Sequence, residues 1–177
     1  PYRLLAELSR LFRGKLLVEL GTRDVLGTLA LADEPSNRVL SIDRDASVEE
    51  RWAASLGRSL EDLRALTTWQ LRFAAADITP ELLADPGWGL RDDLRNASLI
   101  YLDTAHYPYS EPMEIELLAL LREIEFGGLL VLDDIYLNTE MLRWWNSIDL
   151  PRYDLTSVGH WSGTGLIDFS GGFAVSP

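Results

Sequence analysis

Two short apolar runs, each ending in acidic residues, constrain the fold of this chain most. One run covers residues 98–102 and ends in Asp103; the other covers residues 128–132 and ends in Asp133 and Asp134. A short continuous apolar run is typical of a parallel strand buried on both faces. One helix-length segment separates the runs, so a crossover connection would leave their carboxyl ends side by side. We therefore expect the three carboxylates to converge at one edge of a sheet.

Converging carboxylates need a cation or a proton among them, because their negative charges otherwise repel one another at short distance. Asp133 ends a buried strand, which favours a role in a site. Asp134 leaves two interpretations open, since an acid after a strand often caps a helix or a loop. His106 follows Asp103 by one loop turn and is expected near the same edge.

The rest of the chain alternates strand and helix patterns and shows no internal repeat or linker. This alternation predicts an α/β fold: a Rossmann-like, doubly wound and mostly parallel seven-stranded sheet. The last two strands, separated by a glycine-rich segment, predict a C-terminal antiparallel β-hairpin in place of a further strand–helix unit. We predict a single domain covering residues 1–177. The strands are predicted at residues 15–20, 38–42, 71–75, 98–102, 128–132, 153–158 and 165–169.

The composition limits the kinds of partner that this chain is expected to bind. The chain of 177 residues has 28 acidic against 16 basic residues, a formal net charge of −12, and no cysteine. Such an acidic chain repels phosphate backbones and anionic lipid, so we expect neither nucleic acid nor membrane as a partner. Without cysteine there is no disulfide, thiolate metal site or cysteine nucleophile. We expect a cytoplasmic location.

The turn after the first predicted strand indicates a binding site for a nucleotide or nucleoside. Glu19-Leu-Gly-Thr-Arg follows a strand and opens a helix, where Gly21 permits a tight turn and the helix start offers unpaired N–H donors. Asp43, at the end of the second strand, can accept both ribose hydroxyls. A pyrophosphate fits poorly, because only Gly21 and Gly27 occur here and the Glu19 carboxylate would repel it. A cationic nucleoside without phosphate, such as S-adenosylmethionine, fits this turn better.

With these residues the chain resembles class I S-adenosylmethionine-dependent methyltransferases. Within that class it is similar to the metal-dependent O-methyltransferases of small molecules, including catechol-type enzymes and the sugar and macrolide O-methyltransferases. The resemblance covers roughly residues 15–169. It departs from the family where Arg23 or Asp24 stands in place of a glycine, where Thr104 replaces another, and in its short N-terminal cover. The matching motifs are Glu19-Leu-Gly-Thr-Arg, Asp43, Asp77, Asp103-Thr-Ala-His-Tyr-Pro-Tyr109 and Gly127-Gly128 with Asp133-Asp134.

The resemblance implies methyl transfer from S-adenosylmethionine to a hydroxyl of a small molecule such as a sugar, polyketide or phenol. Asp103, Asp133 and Asp134 would hold one divalent cation, Mg²⁺ or another hard ion. Asp103 and His106 would be the catalytic residues, His106 as general base, since the only lysine is Lys15. The implied cofactor-binding residues are Glu19, Gly21, Thr22, Arg23, Asp43, Asp77, Ile78 and Asp103.

Other functions stay open at this point. One is a domain of the same fold that binds the cofactor without methyl transfer, either degenerate or related to hydroxylases that share this site. Another is an NAD-dependent oxidoreductase, disfavoured by the missing glycines and by Glu19. The short N-terminal cover leaves either preceding residues or a partner chain, so a homo-oligomer is one alternative. Trp144 and Trp145 are interpreted as packing residues. Loop residues that could rim the site are Tyr107, Tyr109, Tyr136, His160 and Trp161.

Overall fold

The computed structural model describes residues 2–23, 25–59, 61, 70–104 and 113–173. They form a seven-stranded sheet in the order β3-β2-β1-β4-β5-β7-β6, in which β1 to β5 are parallel and β7 is antiparallel to both β5 and β6. The predicted mostly parallel sheet and its C-terminal hairpin are confirmed. The strands are β1 Leu16–Leu20, β2 Arg38–Asp43, β3 Gln70–Ala75, β4 Leu99–Leu102, β5 Leu129–Asp133, β6 Arg152–Asp154 and β7 Thr164–Asp168.

The register of the sheet brings the carboxyl ends of the parallel strands level with one another. Leu20 at the end of β1 pairs with Ile42 of β2 and with Leu102 of β4. Leu102 in turn pairs with Leu132 of β5. The residues that follow these strands therefore share one edge of the sheet, as expected for ligand sites in open α/β sheets.

The described helices are α1 Tyr2–Ser9, α2 Leu26–Leu31, α3 Val48–Ser55, α4 Pro80–Ala84, α5 Arg91–Asn96, α6 Glu114–Glu123 and α7 Thr139–Ser147. Asn138 caps α7, because its Oδ1 accepts from the backbone N–H of Met141 at 2.8 Å. Ser47 precedes α3 without capping it, since its hydroxyl donates instead to Asp45 at 2.7 Å. In the described part of the chain, no helix is both long and apolar enough to cross a bilayer.

The core consists of two apolar layers, one on each face of the sheet. Because side chains alternate along a strand, Leu17 and Val18 enter opposite layers, as do Tyr101 and Ile100. One layer packs against α6 and α7, the other against α1 and α2. Trp145 lies in the first of these layers with its neighbour in sequence, Trp144, which confirms their interpretation as packing residues.

Candidate cofactor and metal site

The turn after β1 requires glycine at position 21. Gly21 has a φ of 91°, and a Cβ there would lie 2.1 Å from the backbone oxygen of Asp103. No side chain fits that space, because the end of β4 approaches the turn so closely. The Gly21 amide donates to the carbonyl of Ile42 at 2.8 Å. The turn is therefore packed between the ends of β2 and β4.

Asp43 fixes the same turn from the end of β2. Its Oδ2 accepts from the amides of Thr22 at 2.9 Å and Arg23 at 3.1 Å, while its Oδ1 accepts from the amide of Asp45 at 2.9 Å. The amides of Thr22 and Arg23 belong to the turn that precedes α2, which begins at Leu26, so the expectation of unpaired donors at the helix start stays a prediction. They are bonded because the register of β1 and β2 places the carboxylate directly beside the turn.

Arg23 stands where many relatives carry glycine, and its backbone shows the consequence. Its φ is 39°, and Val25 has a φ of 62°, so both lie on the left-handed side. That conformation costs roughly 1–2 kcal/mol for a residue with a Cβ. The turn therefore carries strain at both positions.

Glu19 is buried inside the sheet, with 1% of its surface exposed. Its Oε2 accepts from the hydroxyls of Thr28 and Ser41, the latter at 2.7 Å. Burial raises the pKa of Glu19 to about 8, although these two hydroxyl bonds act in the opposite direction. The protein itself therefore supplies hydrogen-bond donors to this buried carboxylate. Sequence reasoning missed both hydroxyls, whose only signal was a polar residue inside an otherwise apolar strand or helix.

Asp133 is the most buried carboxylate at the ends of β4 and β5. Its side chain is 7% exposed, and among the described residues its Oδ1 has no hydrogen-bond partner. Burial, followed by the charges of Asp103 and Asp134, raises its pKa to about 6. Asp133 is therefore a buried acid with two further acids nearby, and its role as a metal ligand stays a prediction.

Asp103 accepts a hydrogen bond from a residue of β4, the strand that precedes it. The hydroxyl of Tyr101, a fully buried residue of β4, donates to Asp103 Oδ2 at 3.0 Å. Burial and the charge of Asp103 raise the pKa of Tyr101 well above its usual range, so the phenol keeps its proton and remains a donor. Asp103 is thus oriented at the edge of the sheet. Its roles as cofactor-binding, catalytic and metal-binding residue stay predictions.

The loop between β6 and β7 adds two residues to this edge. His160 Nδ1 lies 3.6 Å from Asp133 Oδ1 and 3.5 Å from Asp134 Oδ1. The hydroxyl of Ser162 donates to Asp134 Oδ1 and also contacts His160 Nδ1. From the sequence, His160 is expected only as one of the loop residues at the rim of the site. It reaches the acids because β7 inserts between β5 and β6 and pairs Thr164 with Asp133.

These donor atoms fit a divalent cation. One atom each from Asp133, Asp134 and His160 lie within 4.8 Å of one another, and a buried oxygen of Asp133 lacks a protein partner among the described residues. Asp103 lies outside this group of three. Asp134 has a φ of 63° and does not cap the following helix, which Asn138 caps instead. The role of Asp134 as a metal ligand stays a prediction.

The remaining predicted site residues are less defined. Asp77 is exposed after β3, and Ile78 packs against the core at its edge; their contact with a cofactor stays a prediction. His106, Tyr107 and Tyr109 lie outside the described residues. Trp161 is 83% exposed at the rim, with its ring centroid 5.5 Å from that of His160.

No protein-family model matches the sequence, and no curated protein matches it. Solved structures do resemble it in fold. The O-methyltransferase from Bacillus cereus in complex with SAH has a TM-score of 0.64 at 12% identity, over 94% of this chain and 80% of that one.

The O-methyltransferase TomG from Streptomyces achromogenes, involved in tomaymycin synthesis and solved with SAM, has a TM-score of 0.62 at 17% identity, over 94% and 78%. Cofactor-bound Rv0187 from MTB has a TM-score of 0.65 at 14% identity, over 96% and 79%. The chain therefore has the class I methyltransferase fold that its motifs predicted, shared here with structures of O-methyltransferases.

Proposed function

We propose that this protein is an S-adenosylmethionine-dependent O-methyltransferase that acts on a hydroxyl of a small molecule with the help of a divalent cation. The observation that carries the proposal is the buried, unpartnered Oδ1 of Asp133 among the described residues, beside Asp134. A buried carboxylate oxygen without a donor is costly unless a cation or a substrate group satisfies it. The fold supports the proposal, because its relatives of known structure include O-methyltransferases solved with SAM or SAH.

The cofactor would lie over the turn after β1. A carboxylate offers about four lone-pair positions, and Asp43 uses three of them for backbone amides of the described residues. The remaining position can accept one ribose hydroxyl directly. Acceptance of the second hydroxyl requires the amide of Thr22 or Arg23 to move away. Gly21 keeps the backbone close enough for the nucleoside to approach, and Asp77 and Ile78 are proposed on the adenine side.

Asp133, Asp134 and, by the family resemblance, Asp103 would hold the cation, which when bound lowers the pKa of a chelated hydroxyl. The protein orients these oxygens: Tyr101 donates to Asp103 and Ser162 donates to Asp134. Methyl transfer is an in-line displacement, so the placement of hydroxyl and sulfonium supplies much of the rate. We propose that His106 takes the hydroxyl proton, as its position after Asp103 implies.

Calorimetric titration with S-adenosylmethionine and with NAD⁺, followed by an acceptor screen that measures S-adenosylhomocysteine, tests the proposal. We expect S-adenosylmethionine to bind and NAD⁺ not to bind. Asp133→Asn should retain cofactor binding but lose turnover of catechol or sugar acceptors, and His106→Gln should do the same. Binding of NAD⁺, or of neither ligand, would contradict the proposal.

A second candidate is a domain that binds the cofactor without methyl transfer. The altered turn motif favours it, because Arg23 adopts a left-handed backbone conformation where the family resemblance places a glycine. Binding of S-adenosylmethionine without turnover of any acceptor, at saturating cation, would select this candidate.

A further inference from the structure

We propose that His160, in the loop between β6 and β7, is a ligand of the cation, and that the site therefore takes a divalent transition-metal ion such as Zn²⁺ or Co²⁺ in preference to Mg²⁺. The inference rests on the cation site of the proposed function and names the kind of ion. The motifs that carry the family resemblance contain no residue of this loop. It is the sheet order that brings His160 to the carboxylates.

The spacing of the donor atoms supports the assignment. Two ligands bonded at about 2.1 Å to one tetrahedral ion stand about 3.4 Å apart. His160 Nδ1 lies 3.6 Å from Asp133 Oδ1 and 3.5 Å from Asp134 Oδ1. The nitrogen is therefore close to coordination-sphere separation from each oxygen, and all three atoms lie within 4.8 Å of one another. Binding of an ion requires the Ser162 hydroxyl, which contacts both His160 Nδ1 and Asp134 Oδ1, to rotate away.

The buried oxygen of Asp133 supplies a second, independent observation. It is more than nine-tenths buried, is aimed at His160, and has no hydrogen-bond partner among the described residues. An imidazole nitrogen and two carboxylate oxygens suit Zn²⁺ and Co²⁺, whereas Mg²⁺ prefers oxygen ligands and retained water. The ligand set thus distinguishes between ions that the carboxylates alone would not separate.

The loop holds His160 at its place. The His160 amide donates to Thr164 Oγ1 at 2.8 Å, and the His160 carbonyl accepts from the amide of Gly163 at 3.0 Å. The carbonyl of Ser162 accepts from the amide of Tyr136 at 2.8 Å, which joins this loop to the loop after β5. Coordination through Nδ1 leaves Nε2 to carry the ring proton on a side chain that is 34% exposed.

The same distances are expected for a histidine that forms ion pairs with the two carboxylates and binds no metal. The experiments must therefore detect the bound metal ion itself. Metal-free protein is titrated with Zn²⁺, Co²⁺ and Mg²⁺ by calorimetry, and Co²⁺ binding is followed by its visible absorption. We expect wild type to bind Zn²⁺ more tightly than Mg²⁺ by at least about tenfold, and His160→Gln to lose about that factor for Zn²⁺ but not for Mg²⁺.

A direct readout comes from NMR, because the chain has only two histidines. In a His106→Gln background, Co²⁺ should shift the imidazole signals of His160 strongly, and the shifted signals should vanish in the double variant with His160→Gln. Trp161→Phe, at the exposed neighbour of His160, is the matched control and should bind Zn²⁺ like wild type.

Two results would overturn the inference in different ways. If His160→Gln binds Zn²⁺ and Co²⁺ like wild type while Asp133→Asn does not, the cation site stands and His160 is not a ligand. If wild type binds none of the three ions, the cation site itself is refuted together with the inference. Titration with S-adenosylmethionine is independent of both results and still tests the cofactor half of the proposed function.

Discussion

Replacing Glu19 by glutamine should change how the stability of the fold depends on pH. Glu19 is 1% exposed, and burial raises its pKa to about 8, from an ordinary value of 4.5. Between these two values the folded protein keeps a proton that the unfolded chain has lost. Because the folded pKa is the higher one, the stabilising contribution of this group is complete below pH 4.5 and is lost as the pH rises through about 8.

The magnitude follows from the same two values. Each pH unit in this interval removes about 1.4 kcal/mol from the free energy of unfolding, and the whole interval removes up to about 5 kcal/mol. Glutamine at position 19 has no proton to release. Its amide oxygen can still accept from the hydroxyls of Thr28 and Ser41, which now bond to Glu19 Oε2. The stability of the variant relative to wild type should therefore rise by about 1.4 kcal/mol per pH unit between about pH 5 and pH 8.

Urea unfolding followed by tryptophan fluorescence at several pH values measures this difference, since the chain has six tryptophans. Taking variant against wild type cancels the contributions of the other titrating groups. Glu140→Gln, at an exposed position in the first turn of α7, is the matched control and should show a constant difference. A difference for Glu19→Gln that also stays constant from pH 5 to pH 8 would refute the reasoning, whatever its size.

Three further substitutions test the turn and the caps. Gly21→Ala should cost at least about 3 kcal/mol in urea unfolding because its Cβ meets backbone, whereas Gly14→Ala, with φ 70° and open space, should cost only about 1–2 kcal/mol. Asp43→Asn should weaken S-adenosylmethionine binding by about tenfold or more in calorimetry, since asparagine keeps only one acceptor oxygen, so that either the amide of Asp45 or those of Thr22 and Arg23 lose their acceptor; unchanged affinity would contradict its assigned place. Asn138→Ala should lower the free energy of unfolding by about 1 kcal/mol and Ser47→Ala by less, because the Asn138 side chain caps a helix and that of Ser47 does not.

The sheet was predictable from local patterns. A parallel strand is buried on both faces and shows as an apolar run, so β4 and β5 were located to within one residue from the sequence. The acids after them were expected at one edge because parallel strands joined by a crossover end on the same side. The position of Gly21 was also evident, although the reason for it, the backbone of Asp103, lies far along the chain.

The partners of the predicted residues were not predictable in the same way. The hydroxyls of Thr28 and Ser41, which donate to Glu19, were not predicted. Nor were the bonds from the amides of Thr22 and Arg23 to Asp43. Each of these contacts depends on the register of β1 against β2 and on the packing of α2, which no local pattern encodes.

His160 shows the same limit at the proposed metal site. The sequence predicts a hairpin at the C-terminus, and either of its strands could pair with β5 on local evidence. In the structure β7 takes that place and β6 forms the edge, so the loop between them passes over Asp133 and Asp134. Apolar runs and strand-ending acids determine the class of fold and the edge that carries the site, since burial and chain direction act locally. Which side chains complete the site depends on strand order and register, because those join residues that are distant in the chain.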